Sequence, residues 1–86
     1  MNNDVQIFYF AHLAEQLNCN NEFFPLEESP TTISRLKEQL AERGEEWASL
    51  LARPNTRCAV NQAIANEDAM LFYGDEVAFF PPVTGG

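Results

Sequence analysis

The chain has 86 residues, 45% of them hydrophobic, with seven Phe, two Tyr and one Trp. That length allows one domain with a modest core, burying roughly 60–65% of the surface its unfolded chain exposes, and the apolar content excludes a disordered chain. Thirteen acidic residues against five basic ones leave a formal net charge of −8, which excludes nucleic acid and anionic membrane as natural partners and favours a basic protein surface.

The opening Met1-Asn2-Asn3-Asp4 lacks the basic and apolar regions of a secretory leader, and no run approaches the ~20 apolar residues of a membrane span, so a cytoplasmic location is expected. Val5 to Phe10 reads as a strand with Val5, Ile7 and Tyr9 on one face and Gln6, Phe8 and Phe10 on the other. Apolar residues on both faces predict cover on both sides, one from the domain's own helices and one from outside it. Ala11 to Asn18 places Leu13, Ala14 and Leu17 at helical spacing, and the Asn-rich stretch that follows suits a left-handed cap. His12, with no second ligand at helical spacing, is expected on the surface. Glu22 to Leu26 then reads as a short strand, ended by Glu27-Glu28-Ser29-Pro30.

Thr31 or Thr32 can cap a helix in which Ile33, Leu36 and Leu40 recur at i, i+3 and i+7, with Gly44 at the C′ position. Its other residues, Arg35, Lys37, Glu38, Gln39, Glu42 and Arg43, read as a solvated mixed-charge face. Trp47, Leu50 and Leu51 mark a further helical segment before Pro54-Asn55. Arg57 to Gln62 alternates Cys58 and Val60 inward with Arg57, Ala59 and Asn61 outward, and a tight turn leads into Ala63-Ile64-Ala65, predicting a hairpin. Asn66 to Leu71 suggests a helical turn that drops Leu71 into the core. Glu76 to Phe80 is the last strand, with Val77 and Phe79 on one face and Ala78 and Phe80 on the other.

The predicted order is β, α, β, α, α, β, β, β: an α+β domain over residues 1–80, one mixed sheet of about five strands packed on helices. The first and last strands are the most apolar and belong at the sheet centre. Strand parity leaves Phe8, Phe10, Ile64 and Phe80 facing outward, the expected anchors of a protein interface.

Chemistry-bearing patterns are scarce. The chain has no metal-ligand spacing, Gly-rich phosphate loop, GxSxG or HExxH. Cys19 and Cys58 have neither CxxC nor ligand spacing and suit a reducing compartment. The acidic pairs Glu27-Glu28, Glu45-Glu46, Glu67-Asp68 and Asp75-Glu76 fall near predicted element ends, where solvated acid is the simplest account. The expectation is a domain with no active site, bound cofactor or metal of its own.

What remains is the end of the chain, residues 81–86. Pro81-Pro82 is a rigid extended spacer, followed by Val83, Thr84 and the bare pair Gly85-Gly86, where no side chain stands near the carboxylate. Phe80 to Gly86, seven residues at ~3.3 Å each, reaches roughly 23 Å. Such a tail can thread the narrow site of a partner.

The stretch Gly74-Asp75-Glu76-Val77-Ala78-Phe79-Phe80-Pro81-Pro82-Val83-Thr84-Gly85-Gly86 resembles the C-terminal signature of the small subunits of molybdopterin synthase, ubiquitin-like β-grasp sulfur carriers. Looser similarity covers Ile7-Phe8-Tyr9-Phe10-Ala11, Thr32-Ile33 and Ala59-Val60-Asn61-Gln62, and is weakest over Asn18 to Ser29. The resemblance implies that a ubiquitin-activating-like adenylyltransferase uses ATP to adenylate the Gly86 carboxylate, and that a sulfurtransferase donor converts it to a thiocarboxylate. It implies further that the tail inserts into the large subunit of molybdopterin synthase, in a heterotetramer, and delivers sulfur to cyclic pyranopterin monophosphate. The family's apolar contact face maps onto Phe10, Ile64 and Phe80. Other readings stay open at this point: a ubiquitin-like modifier conjugated through Gly86, a sulfur carrier for another pathway, and an interaction module with an inert tail.

Overall fold

The computed structural model describes residues 3–81. Ten elements follow one another: β1 (Asp4–Tyr9), α1 (Ala11–Leu17), β2 (Asn21–Pro25), β3 (Thr31–Thr32), α2 (Ile33–Ala41), α3 (Glu45–Ala52), β4 (Arg57–Val60), β5 (Ala63–Ala65), β6 (Met70–Leu71) and β7 (Glu76–Phe80). Five strands form one sheet in the order β2-β1-β7-β4-β5, and β3 and β6 form a separate antiparallel pair. β1 and β7 run parallel while the other pairings in the large sheet are antiparallel, so the sheet is mixed. Both strands lie inside it, as their apolar content predicts. The arrangement is α+β and is that of the β-grasp (ubiquitin-like) fold.

Alternation decides which face meets the helices. Val5, Ile7 and Tyr9 of β1, Cys58 of β4, and Val77 and Phe79 of β7 all turn the same way and are buried. They meet Leu13 and Leu17 of α1, Ile33, Leu36 and Leu40 of α2, and Leu50 and Leu51 of α3 in one core. Full burial of a side chain of this size stabilises by about 1.5–3 kcal/mol.

Local chemistry sets the element ends. Ala11 takes φ 55° in the turn from β1 into α1, a conformation disfavoured for a residue with a β-carbon. Asn18 ends α1 at φ 55°, ψ 43°, its N–H directed to the carbonyls of Ala14 and Glu15, as expected of an Asn cap. The Thr32 hydroxyl accepts from the Arg35 N–H at 3.1 Å and caps α2. Asn61 and Gln62, at φ 50° and 72°, make the two-residue turn between β4 and β5, with the left-handed values such hairpins require.

Several expectations change. Gly44 is not the residue that closes α2: Glu42 is the C-cap of that helix, and Gly44, at φ 146°, is the N-cap of α3. A β-carbon there would meet nothing nearby, so its backbone conformation and not crowding favours glycine. The stretch from Asn66 to Leu71 is not helical. A turn closed by the Ala69 N–H on the Asn66 carbonyl at 3.1 Å leads into β6, which pairs with β3. Leu71 is still fully buried. Ala59, expected outward, is on the outer face yet only 8% exposed, because Ala78 and Ile64 flank it in register. Val60 and Trp47 are only half-buried.

Arg43 is also more than a solvated charge. Its guanidinium donates from both terminal nitrogens to Glu22 at 2.7 and 2.8 Å, and Glu22 accepts from the Tyr9 hydroxyl at 2.7 Å. It lies 4.5 Å from the ring centroid of Trp47 and 5.6 Å from that of Phe24, while Trp47 meets Tyr9 edge to face at 5.5 Å. This cluster ties edge strand β2 to β1, to the turn between α2 and α3, and to α3.

Candidate docking face and C-terminal tail

The sheet face turned away from the helices can be read as rungs across the strands. The central rung runs Asn21, Phe8, Ala78, Ala59, Ile64 from β2 to β5. Two alanines between Phe8 and Ile64 make a shallow trough, and three strand spacings set those two side chains about 14 Å apart. On the tail side, Phe80 pairs with Arg57. The Phe10 N–H donates to the Phe79 carbonyl at 3.1 Å, which carries the β1–β7 pairing one residue past β1 and sets Phe10 alongside Phe80. On the other side Gln6 pairs with both Phe23 and Glu76.

Strand parity thus brings Phe8, Phe10, Ile64 and Phe80 onto one face, as expected. Phe10 and Ile64 are 49% and 69% exposed. Phe8 and Phe80 are half-buried, and the Phe8 ring stacks on Phe10 with centroids 6.3 Å apart. Surface aromatics collected this way, next to small residues, have the composition found at the apolar centre of protein interfaces.

The structure places further residues beside these four. Phe23, on edge strand β2, is 62% exposed beside Gln6. The adjacent Phe23 and Phe24 carried the signal, since a strand must turn one of them outward. Arg57 is exposed next to Phe80 and makes no ion pair among the described residues. Met70, Phe72 and Tyr73 are also exposed, in the segment that enters β7.

Pro81 is the last described residue and is half-buried. Pro82, Val83, Thr84, Gly85 and Gly86, the remaining tail positions named from sequence, lie outside the described residues. What the structure does establish is where the tail begins. β7 is the central strand of the sheet, and it ends at Phe80 between Phe10 and Arg57.

The thiols are not set up as nucleophiles. Burial pushes the Cys58 thiol above its usual pKa, and its Sγ donates to the Ala65 carbonyl at 3.2 Å. Partial burial, with the Glu22 charge, also raises Cys19. Raised thiol pKa values reduce the thiolate fraction that reacts. His12 is exposed on α1. Among the described residues no helix is long and apolar enough to cross a membrane.

The sequence profile of the ThiS family matches residues 7–86, the tail included. The chain belongs to the ThiS family. It is 34% identical over 82 residues to the molybdopterin synthase sulfur carrier subunit of Haemophilus influenzae, a match covering 95% of this chain and 99% of that protein. Solved structures agree on the fold. A chain of the complex of subunits 1 and 2 of the molybdopterin-converting factor from Helicobacter pylori superposes with a TM-score of 0.65 at 21% identity, over 96% of this chain and 99% of that one. Small archaeal modifier protein 1 from Haloferax volcanii gives 0.74 at 21% identity, over 93% and 98%. ThiS-family membership thus rests on the sequence matches, and the β-grasp fold on the architecture.

Proposed function

We propose that this ThiS-family chain is the sulfur-carrier subunit of a molybdopterin synthase, with the Gly86 carboxylate as its working group. The observation that carries the reading is the origin of the diglycine tail. It leaves the sheet from central strand β7, beside the apolar face holding Phe8, Phe10, Ile64 and Phe80. Near-full-length similarity to a curated molybdopterin synthase sulfur carrier subunit supports the same role.

The chemistry follows from the carboxylate. A C-terminal carboxylate, with a reference pKa of about 3.5, is ionised at neutral pH and resists nucleophilic attack. Adenylation with ATP by a ubiquitin-activating-like enzyme releases pyrophosphate and leaves an acyl-adenylate. A persulfide sulfur on a sulfurtransferase attacks the carbonyl carbon and displaces AMP, and a thiol then cleaves the S–S bond of the acyl disulfide, leaving Gly86 as a thiocarboxylate and a disulfide on the transferase. The large subunit docks on the sheet face and accepts the tail, and the thiocarboxylate sulfur passes to cyclic pyranopterin monophosphate toward the dithiolene of molybdopterin. The apolar anchors hold the domain while the tail extends. Catalytic groups acting on the pterin belong to the large subunit.

Intact mass spectrometry of the protein purified from cells with the pathway present tests this reading. A sulfur-for-oxygen exchange localised to Gly86 is expected. Discrete higher-mass conjugates through Gly86 would instead mark a protein modifier, and an unaltered terminus would mark an inert tail.

A further inference from the structure

The end of the open face remote from the tail is concave. Asp4, Gln6, Phe23, Gly74, Asp75 and Glu76 line a hollow of about 200 Å³. Register explains how they meet: Gln6 lies opposite both Phe23 and Glu76, and Asp4, two residues before Gln6, shares its side of the sheet. An exposed aromatic ring therefore forms one wall, and three carboxylate-bearing residues line the hollow together with Gln6 and Gly74.

Among the described residues no cation neutralises the charge there. Asp75 is held in place, accepting from Asn61 Nδ2 at 3.2 Å and from the Phe72 N–H at 2.9 Å, but it has no cationic partner among the described residues. Asp4 and Glu76 likewise make no ion pair among the described residues, where Arg35, Lys37 and Arg43 are engaged with Glu27, Glu38, Glu67 and Glu22. No group of three His, Cys, Asp or Glu among the described residues could hold a metal ion. An aromatic wall with carboxylates too dispersed for a metal suits a cation carried on an apolar stem, whose charge pairs with the acids while its face or methylenes lie on the ring.

We infer that the hollow receives an arginine or lysine side chain of the large subunit, as a second attachment point on the same docking face. The inference rests on the sulfur-carrier reading above for the identity of that partner. Three observations select the occupant: continuity of the hollow with the Phe8 and Ile64 rung, its negative lining, and the exposed Phe23 ring. Glu76 lies four residues before Phe80 on one strand, so the basic side chain enters about 13 Å from the Phe80 anchor. One anchor would leave the carrier free to rotate about the contact. Two fix its orientation, and with it the direction in which the tail leaves Phe80.

Calorimetric titration of the full-length protein into the large subunit, at low and high salt, tests the inference. Phe23→Ala and the isosteric pair Asp4→Asn with Glu76→Gln are each expected to raise Kd about fivefold or more, and the double variant should flatten the salt dependence. A charge-matched control, Glu45→Gln with Glu46→Gln on α3, removes the same formal charge from the helical side and should change both much less. If the Asp4→Asn, Glu76→Gln protein matches the charge-matched control in Kd and salt slope while Phe80→Ala weakens binding, the docking face stands and the hollow is not used. If the wild-type chain does not bind the large subunit at all, the docking reading fails and takes this inference with it.

Discussion

Glu22→Gln separates the contribution of a charge from that of the space it fills. The carboxylate accepts from the Tyr9 hydroxyl and from two Arg43 N–H groups, and its side chain is only 19% exposed. Burial alone would raise its pKa, but the hydrogen bonds from Arg43 and then Tyr9, with the Arg43 charge, outweigh it and hold Glu22 below the usual carboxylate value. Gln keeps the shape and an acceptor oxygen but not the charge. Hydrogen bonds to charged groups contribute about 1.5–3 kcal/mol against about 1 for neutral ones, and the partial exposure of Arg43 screens the pair toward the low end. At about 0.5 kcal/mol for each of the three hydrogen bonds the loss is about 1.5 kcal/mol, which at 4–8 °C per kcal/mol for a domain of this size lowers Tm by roughly 6–12 °C. The sign with pH is fixed by the lowered folded pKa: the stabilisation is full above the unfolded carboxyl pKa and is lost as pH falls through the folded one. Thermal unfolding followed by circular dichroism should therefore show a Tm gap between wild type and variant at about pH 7 that closes in acid. Equal Tm values at neutral pH, or a gap of constant size into acid, would refute the assignment.

Other expectations concern separate parts of the molecule. Phe80→Ala should weaken large-subunit binding by ~2 kcal/mol or more in a calorimetric titration, the loss typical of an aromatic anchor. Deleting Gly86 should abolish sulfur loading by intact mass while leaving Tm unchanged; loss of the unfolding transition would show that the terminus supports the fold. Thr32→Ala removes the cap on the Arg35 N–H and should cost about 1 kcal/mol, read as a lower urea midpoint at unchanged slope.

The legible elements were those whose signal repeats within a few residues. β1 and β7 are dense in β-branched and aromatic residues, and α2 carries Ile33, Leu36 and Leu40 at helical spacing, so each was found with its buried side correct. β3 and β6 escaped because two residues carry no periodicity and their pairing spans nearly forty positions. Gly44 was assigned to the wrong helix for a related reason: a glycine between two helices can end one or begin the next, and only the backbone decides. The Tyr9, Glu22, Arg43 and Trp47 cluster left no trace in local spacing, since its members come from β1, β2, the turn after α2 and α3.

The tail and the face beside it divide along the same line. A diglycine end after two prolines, and the parity that turns Phe8, Phe10, Ile64 and Phe80 outward, are properties of neighbouring residues and stand in the sequence by itself. That these four meet on one side of one sheet, with Arg57 beside Phe80 and Phe23 across from Glu76, depends on strand order and register. Those are set by long-range pairing of backbones, for which alternation along a single strand holds no information.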